Sequence, residues 1–362
     1  ERILPALADI LGIAELERPS LDRPRTRRIQ SLADALLTLT ASLCGRNGVL
    51  LIEDTHWADD DAHLLIERLV LSLDAASPML IATRRPGKGE SWLGSEHVRS
   101  LPLRPLDRSE AAALLAGSDL PAALGAAVLD RAEGVPLFLE ELSRAAVEEP
   151  QLFEGAATPA GRHEPMAGIP VGLRGILTHR IDALPGPARQ VLDAAAILGS
   201  APTDDLLAAL GGLRTDAYEV AVSTLADADL LYRIRTFPQR SYAFKHALVQ
   251  DAAYQGIPAS RRAALHAGVV QIHDGFGGAK GLDDAALARH AANGHLPDRA
   301  IEFAMRAARE AADRSSYALA NRMTDIALKA IAESPRSDDL LRLEADILTW
   351  RRALLWPLAQ KG

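Results

Sequence analysis

The chain of 362 residues, 48% hydrophobic but only 4% aromatic, is too long for one ordinary domain and too rich in Ala and Leu for an all-β sandwich. A formal charge of -8 and a pI near 5.7 remove the sequence-independent attraction to phosphate backbones, and a lone cysteine, Cys44, excludes an intrachain disulfide. No apolar run approaches the roughly 18 residues that span a bilayer, no signal peptide precedes Glu1, and the chain does not open on Met, so a cytoplasmic segment of a longer protein is expected.

In chain order, Ile29, Leu32, Leu36, Leu39 and Leu43 recur at steps of three and four, which predicts an amphipathic helix from Arg27 to Cys44, ended by Gly45 and the Asn47-Gly48 turn. Val49 to Ile52 then reads as a short strand. Asp59 to Asp61 can cap a helix over about 62–73, and Met79 to Ala82 reads as a second strand that stops at Thr83-Arg84-Arg85-Pro86. Strand, helix, strand with polar groups at both strand ends is a βαβ pattern. Apolar strands without alternation belong to parallel sheets covered on both faces, and such sheets present ligands at their carboxyl ends. A further strand is expected at about 99–103, before a helix-start signal at Asp107-Arg108-Ser109-Glu110.

Helical periodicity continues to Glu149, broken at Gly134-Val135-Pro136, and 150–170 reads as a Gly- and Pro-containing linker. Helices follow at about 173–184, 187–198, 204–210 and 216–228, then strands at 230–234 and 242–244, an order that is that of a winged helix. From Ser260 the pattern is helical throughout, with helix pairs of a size that suggests an α-solenoid of about two units. These patterns divide the chain into a βαβ region over 1–107, a helical stretch over 108–149, the linker, a winged-helix order over 171–257 and helical repeats over 258–362.

The acidic pair Glu53-Asp54 carries the first chemical signal. At the end of a parallel strand one carboxylate can hold Mg²⁺ through water while its neighbour orients or deprotonates a water that attacks a terminal phosphate. Taken alone, the pair is equally compatible with an acidic turn that caps the next helix. The longer string "LLIEDTHWAD", Leu50 to Asp59, is more specific, because it resembles the Walker B segment of the STAND-type, AAA+-like regulatory ATPases, the signal-transduction NTPases with numerous domains.

Three further segments resemble that family in the same order. "LIATRRP" looks like the strand that ends in the sensor arginine, which implies that Arg84 contacts a terminal phosphate; a solvated basic turn is its bland alternative. "GVPLFLEEL" is similar to the lid segment whose Gly-Pro turn packs against adenine, which implicates Pro136. "FKHALVQDAAY" looks like the winged-helix segment whose histidine reaches the β-phosphate of ADP, here His246. The resemblance runs from about Ile29 to Gly362. It implies an α/β P-loop NTPase-type core, incomplete here, followed by a mostly α region of lid, winged helix and tetratricopeptide-like (TPR-like) solenoid, with ATP or ADP and Mg²⁺ as cofactors and Glu53 and Asp54 as both catalytic and metal-facing residues.

One departure stands out. The phosphate-cradling loop G-x-x-x-x-G-K-[ST] is absent, the Gly-Lys pairs near Lys88 and Lys280 having neither its spacing nor a preceding strand. The resemblance places that loop upstream, on a strand between the one ending at Thr83 and the one near 99–103, so this segment alone is expected not to turn over ATP and to leave its second strand either an unpaired apolar edge or paired with a non-native neighbour. The expected function is an ATP-dependent switch in a larger regulator, cyclase-linked or of the LuxR type, with a protein or small effector sensed by the repeats and assembly possible in the ATP state. The alternative is a passive interaction or DNA-binding module. Against direct DNA reading, the helix over 216–228 carries Asp216, Glu219 and Asp227 and no Arg or Lys. The scattered histidines and single cysteine give no metal-cage spacing, and no nucleophile elbow appears.

Overall fold

The computed structural model describes residues 25–74, 77–85, 91–95, 97–117, 120–148, 171–199, 201–236, 239–275, 282–314 and 316–359. The expected linker over 150–170 lies outside the described residues. These fall into two compact units, one from Glu1–Leu101, Leu282–Ala292 and Leu296–Gly362, the other from Pro102–Gly281 and Asn293–His295.

In the first unit, helix α1 (Arg25–Cys44) buries Ile29, Ala33 and Ala35, the last two at zero exposure, and packs on α2 (Asp60–Leu71). Asp59 starts α2 as expected, its Oδ1 accepting the Ala62 N–H at 3.0 Å, which satisfies one of the orphan amides of the first turn. Strands β1 (Val49–Ile52) and β2 (Met79–Ala82) pair in parallel with Val49 opposite Met79 and Ile52 opposite Ala82. Their alternating faces differ in fate. Ile52, Leu80 and Ala82 pack against Ile66 and Val70 of α2 and against Trp92 in the short 3-10 turn Ser91–Gly94, whereas Val49, Leu51, Met79 and Ile81 are exposed.

A sheet buried on both faces was the expectation; one face is covered here. No third strand joins the pair among the described residues, and 99–103 is not a strand: Leu101 and Leu103 are 73% and 97% exposed. A strand gains its stability from a ladder partner and a packed face, and this segment has neither among the described residues.

The same unit contains α12 (Asp284–Asn293), α13 (Pro297–Asp313), α14 (Tyr317–Glu333) and α15 (Asp338–Ala359), with α13 and α14 packed along their lengths. Small Ala side chains at 304, 308, 311, 320 and 327 allow this close approach. Phe303, fully buried, is covered by Arg299 and Arg306 at 4.5 and 4.8 Å from its ring centre, and Arg306 also forks onto Asp284 of α12.

The second unit opens with α3 (Arg108–Leu115), α4 (Ala122–Ala132) and α5 (Pro136–Glu148). Asp107 and Glu110 form the predicted capping box. Gly134, between α4 and α5, has φ +75 and accepts the Leu106 N–H at 2.7 Å; a Cβ here would lie 2.1 Å from the Leu106 carbonyl oxygen, so only glycine fits.

Helices α6 (Val171–Asp182), α7 (Gly186–Leu198), α8 (Asp204–Gly211) and α9 (Thr215–Asp227) precede an antiparallel hairpin of β3 (Leu231–Arg235) and β4 (Ser241–Phe244), which Thr203 extends by a bridge to Ser241. Helix α7 is the hub, burying Val191, Leu192 and Ala194–Ala196 against α8, α9 and α10 (Ala247–Gly256). Charge ties these pieces together as well. Arg180 of α6 forks between the buried Glu141 of α5 and the Ala228 carbonyl, and Asp229, in a left-handed turn with φ 57, takes both Arg144 of α5 and Lys245.

Helix α11 (Ala259–Gly275) departs from the expected boundary at 258. Its buried His266, Val269 and Val270 pack with α7 and α8, and Arg261 bonds the buried Asp193 of α7 at 3.1 Å, so it completes the helix–hairpin unit rather than starting the repeats. Apolar packing plus a buried carboxylate in need of a cation decides that placement.

Candidate functional site

The carboxyl ends of β1 and β2 meet at Glu53, Asp54, Thr83 and Arg84. Parallel pairing in register places these residues at one edge, which is where the sequence pattern put them. Glu53 and Asp54 are both exposed. Asp54 adopts a left-handed conformation, φ 54 and ψ 43, immediately before the 3-10 turn Thr55–Trp57. Aspartate is one of the few residues that tolerates this region at modest cost.

Three hydrogen bonds hold the turn, all to one residue of the neighbouring strand. Thr83 donates its N–H to the Ile52 carbonyl at 3.0 Å, its carbonyl accepts the Thr55 N–H at 2.9 Å, and its Oγ1 accepts the Asp54 N–H at 2.9 Å. Beside Asp54, the His56 Nδ1 lies 3.8 Å from Oδ1, within ion-pair reach when the ring is protonated. Thr55 is 1% exposed and its Oγ1 has no hydrogen-bond partner among the described residues. Arg84 is half-buried, with Nε donating to the Arg85 carbonyl at 3.3 Å. Sequence reasoning found the acids and the arginine but not Thr83, whose only signal is its place at the end of an apolar run, nor the buried hydroxyl of Thr55.

The other two predicted residues lie in the second unit. Pro136 is the exposed first residue of α5, where a missing N–H costs nothing. His246 immediately precedes α10, gives it no side-chain cap, and has its Nε2 buried without a hydrogen-bond partner among the described residues. Pro136 starts the helix expected there, whereas α10 after His246 was not expected; the strand-end cluster itself consists of Glu53, Asp54, Thr83 and Arg84.

Two other polar clusters were not anticipated. Asp204 accepts from Tyr218 Oη at 2.7 Å and pairs with Arg240, which also forks onto Glu219. Burial and the Asp204 carboxylate raise the Tyr218 hydroxyl well above the ordinary phenol range and push Tyr242 up to about 12, while Glu219 is lowered by its bonds from Arg240. The acidic face of α9 is thus partly neutralised by the hairpin. In the second cluster the buried His266 Nε2 lies 3.1 Å from Tyr254 Oη, and Arg262 stacks 4.9 Å over the Tyr254 ring; burial, helped by Arg262, pushes the imidazole down to about 4. A shallow groove of about 530 Å³ between α8 and α11, lined by Leu210, Leu265, Gly268 and Ile272, contains no carboxylate.

The carboxylate pair is compatible with Mg²⁺ as that ion binds beside phosphates, through one or two protein carboxylates with water and phosphate oxygens completing its octahedron. A dedicated all-protein cage is a different arrangement, and no group of three or more His, Cys, Asp or Glu among the described residues is placed to hold a metal. No described helix is long and apolar enough to cross a membrane.

No known family profile matches the chain. It is 29% identical over 360 residues to an uncharacterized protein of Rhizobium meliloti (strain 1021), an alignment that covers 95% of this chain and 34% of that protein. The chain therefore spans about a third of that relative's length. Among solved structures it is similar to the signal transduction ATPase with numerous domains (STAND) protein with a tetratricopeptide repeat sensor from Pyrococcus horikoshii, with a TM-score of 0.52 over 98% of this chain and 53% of that one. At 11% identity that likeness is one of fold, and it is to a STAND protein with a TPR sensor.

Proposed function

We propose that this chain is the switch region of a STAND-type regulatory ATPase, which binds ATP or ADP with Mg²⁺ and couples nucleotide state to an output domain elsewhere in a longer protein. The observation that carries this reading is the shared strand-end edge, at which parallel pairing delivers two exposed carboxylates from β1 and a half-buried arginine from β2. Bound there, Mg²⁺ would neutralise β- and γ-phosphate charge. Of the chain's own residues, one of Glu53 and Asp54 would hold the ion through water, its neighbour would orient the attacking water and take its proton, and the guanidinium of Arg84 would contact the terminal phosphate.

The 362 residues lack a glycine-lysine phosphate loop, so the reading requires that loop from the part of the protein outside this chain. Pro136 at the start of α5 would border the adenine, and His246 would reach the β-phosphate in the closed state. Its buried, unpartnered Nε2 supports a ligand role, because a buried imidazole nitrogen without a partner costs stability unless something pairs with it. The three helices and hairpin of the second unit would serve as a winged helix that moves with the switch, and α12–α15 as a TPR-like sensor of a protein or small effector, with assembly in the ATP state. A class III nucleotide cyclase placed upstream is the proposed output, on the wording of Phe244 to Tyr254 and of the C-terminal "LLWPLAQKG".

The test uses the full-length protein. Asp54→Asn keeps a residue that tolerates the left-handed turn while removing the charge, so ATP turnover is expected to fall at least about a hundredfold with ATP binding retained. Normal turnover and signalling in that variant would remove the central residue of the reading.

A further inference from the structure

We propose that Thr83 is a positioning residue for the acidic turn: its hydroxyl replaces a lost ladder acceptor and so fixes the direction of the Asp54 carboxylate. This inference rests on the nucleotide-switch reading and adds to it a residue that the motif does not specify.

The hydrogen-bond pattern carries the argument. In a regular parallel ladder a residue that donates its N–H to one residue of the neighbour strand accepts, at its carbonyl, the N–H two positions further along that strand. Thr83 donates to Ile52, so its carbonyl would accept from Asp54. It accepts instead from Thr55, one residue later. The left-handed Asp54 is thus an inserted residue, a bulge at the strand end of the kind that re-aims a side chain. Its displaced N–H would have no acceptor in the ladder, and the Thr83 hydroxyl supplies one at 2.9 Å.

The register of the bulge decides where the carboxylate points. Without the hydroxyl, the Asp54 N–H competes with the Thr55 N–H for the single Thr83 carbonyl, and the regular register, with Asp54 back in the extended region, becomes the better-bonded alternative. Successive strand side chains point to opposite faces, so that relaxation turns the Asp54 carboxylate away from its present direction. Because Thr83 immediately precedes Arg84, the same residue ties the metal-facing acid to the phosphate-facing arginine.

The test compares Thr83→Val, which keeps shape and β preference without an acceptor, with Thr83→Ser, which keeps the acceptor, in the full-length protein. Thr83→Ala removes the acceptor with a smaller side chain and guards against misfolding of the valine variant. Two readouts are taken: hydrogen exchange of the peptide over 52–58 without nucleotide, and the Mg²⁺ concentration for half-maximal ATP turnover. Valine and alanine are expected to speed exchange of that peptide about tenfold at Thr55, whose amide loses the Thr83 carbonyl to Asp54, and to raise the Mg²⁺ requirement about tenfold, with serine within about twofold of the parent on both. Unchanged exchange and unchanged Mg²⁺ dependence in both acceptor-free variants overturn the proposal, as does a serine variant as impaired as valine. If exchange responds as expected but Asp54→Asn leaves turnover untouched, the nucleotide reading fails and the positioning role in catalysis is overturned with it, while the bulge geometry stands.

Discussion

The β1–β2 region and the helix–hairpin region built around α7 bury their apolar side chains to very different degrees. In the first, two four-residue strands cover one face with Ile66, Val70 and Trp92 and leave Val49, Leu51, Met79 and Ile81 in solvent. In the second, α7 is surrounded, and even its Asp193 is buried and held by Arg189 and Arg261. Two strands with one packed face are marginal as an independent structure, whereas a helix covered on several sides gains from every neighbour. The difference is instructive because the weakly packed region carries the proposed chemistry and the well-packed one carries the polar networks that fix the arrangement of helices and hairpin.

The sharpest way to break that comparison is the Glu141–Arg180 pair. Both side chains are nearly out of solvent, at 4% and 10% exposure, so Glu141→Ala leaves a buried guanidinium with, among the described residues, the Ala228 carbonyl and the more distant Glu148. The expected loss is about 3–5 kcal/mol, read as a drop in the urea midpoint of the unit holding α5 and α6; Glu141→Leu with Arg180→Met should recover most of it. A loss no larger than that of a surface substitution would mean that the two regions are held together in the same way.

Next in size is a pH effect. His266 is buried neutral, with its folded pKa pushed down to about 4 against 6.5 for the free side chain. The unfolded chain therefore binds the proton first, so this contribution is complete above about pH 6.5 and is lost as pH falls from there toward 4. Thermal midpoints measured across that window should drop more steeply for the parent than for His266→Gln; parallel curves would show that the imidazole is not buried as described.

A smaller effect is expected at the start of α3, where Asp107→Ala removes the capping box and should cost about 1 kcal/mol in chemical denaturation. Smallest of all, Leu51→Ser and Ile81→Ser on the open face should stay within about 0.5 kcal/mol, and amides of β2 should exchange faster than those of α7. Protection of β2 equal to that of α7 would show the comparison to be mistaken.

Periodicity and punctuation made much of the local structure legible. The strands at 49–52 and 79–82 fall where apolar runs end in polar groups, and Asp59 and Asp107 start helices as their side chains dictate. The same reasoning failed at 99–103, because Leu101 and Leu103 alternate like strand residues but have no ladder partner among the described residues. It also misplaced α11, whose attachment depends on Arg261 reaching Asp193, a contact between residues 68 positions apart that no window of sequence reveals. At the site, Glu53, Asp54 and Arg84 could be picked out by type and position, while Thr83 could not.

The amino-acid order alone fixed most of the helical and extended segments, the caps at Asp59 and Asp107, and which acids and arginine end the two apolar runs, since those properties follow from interactions within a few residues. Only the folded chain decided that the two strands pair side by side in parallel, that one of their faces stays open, and that a threonine hydroxyl on one strand takes the amide of an aspartate on the other. Those outcomes depend on which distant groups compete for the same acceptor or the same buried surface, and that competition exists only once the chain has brought them together.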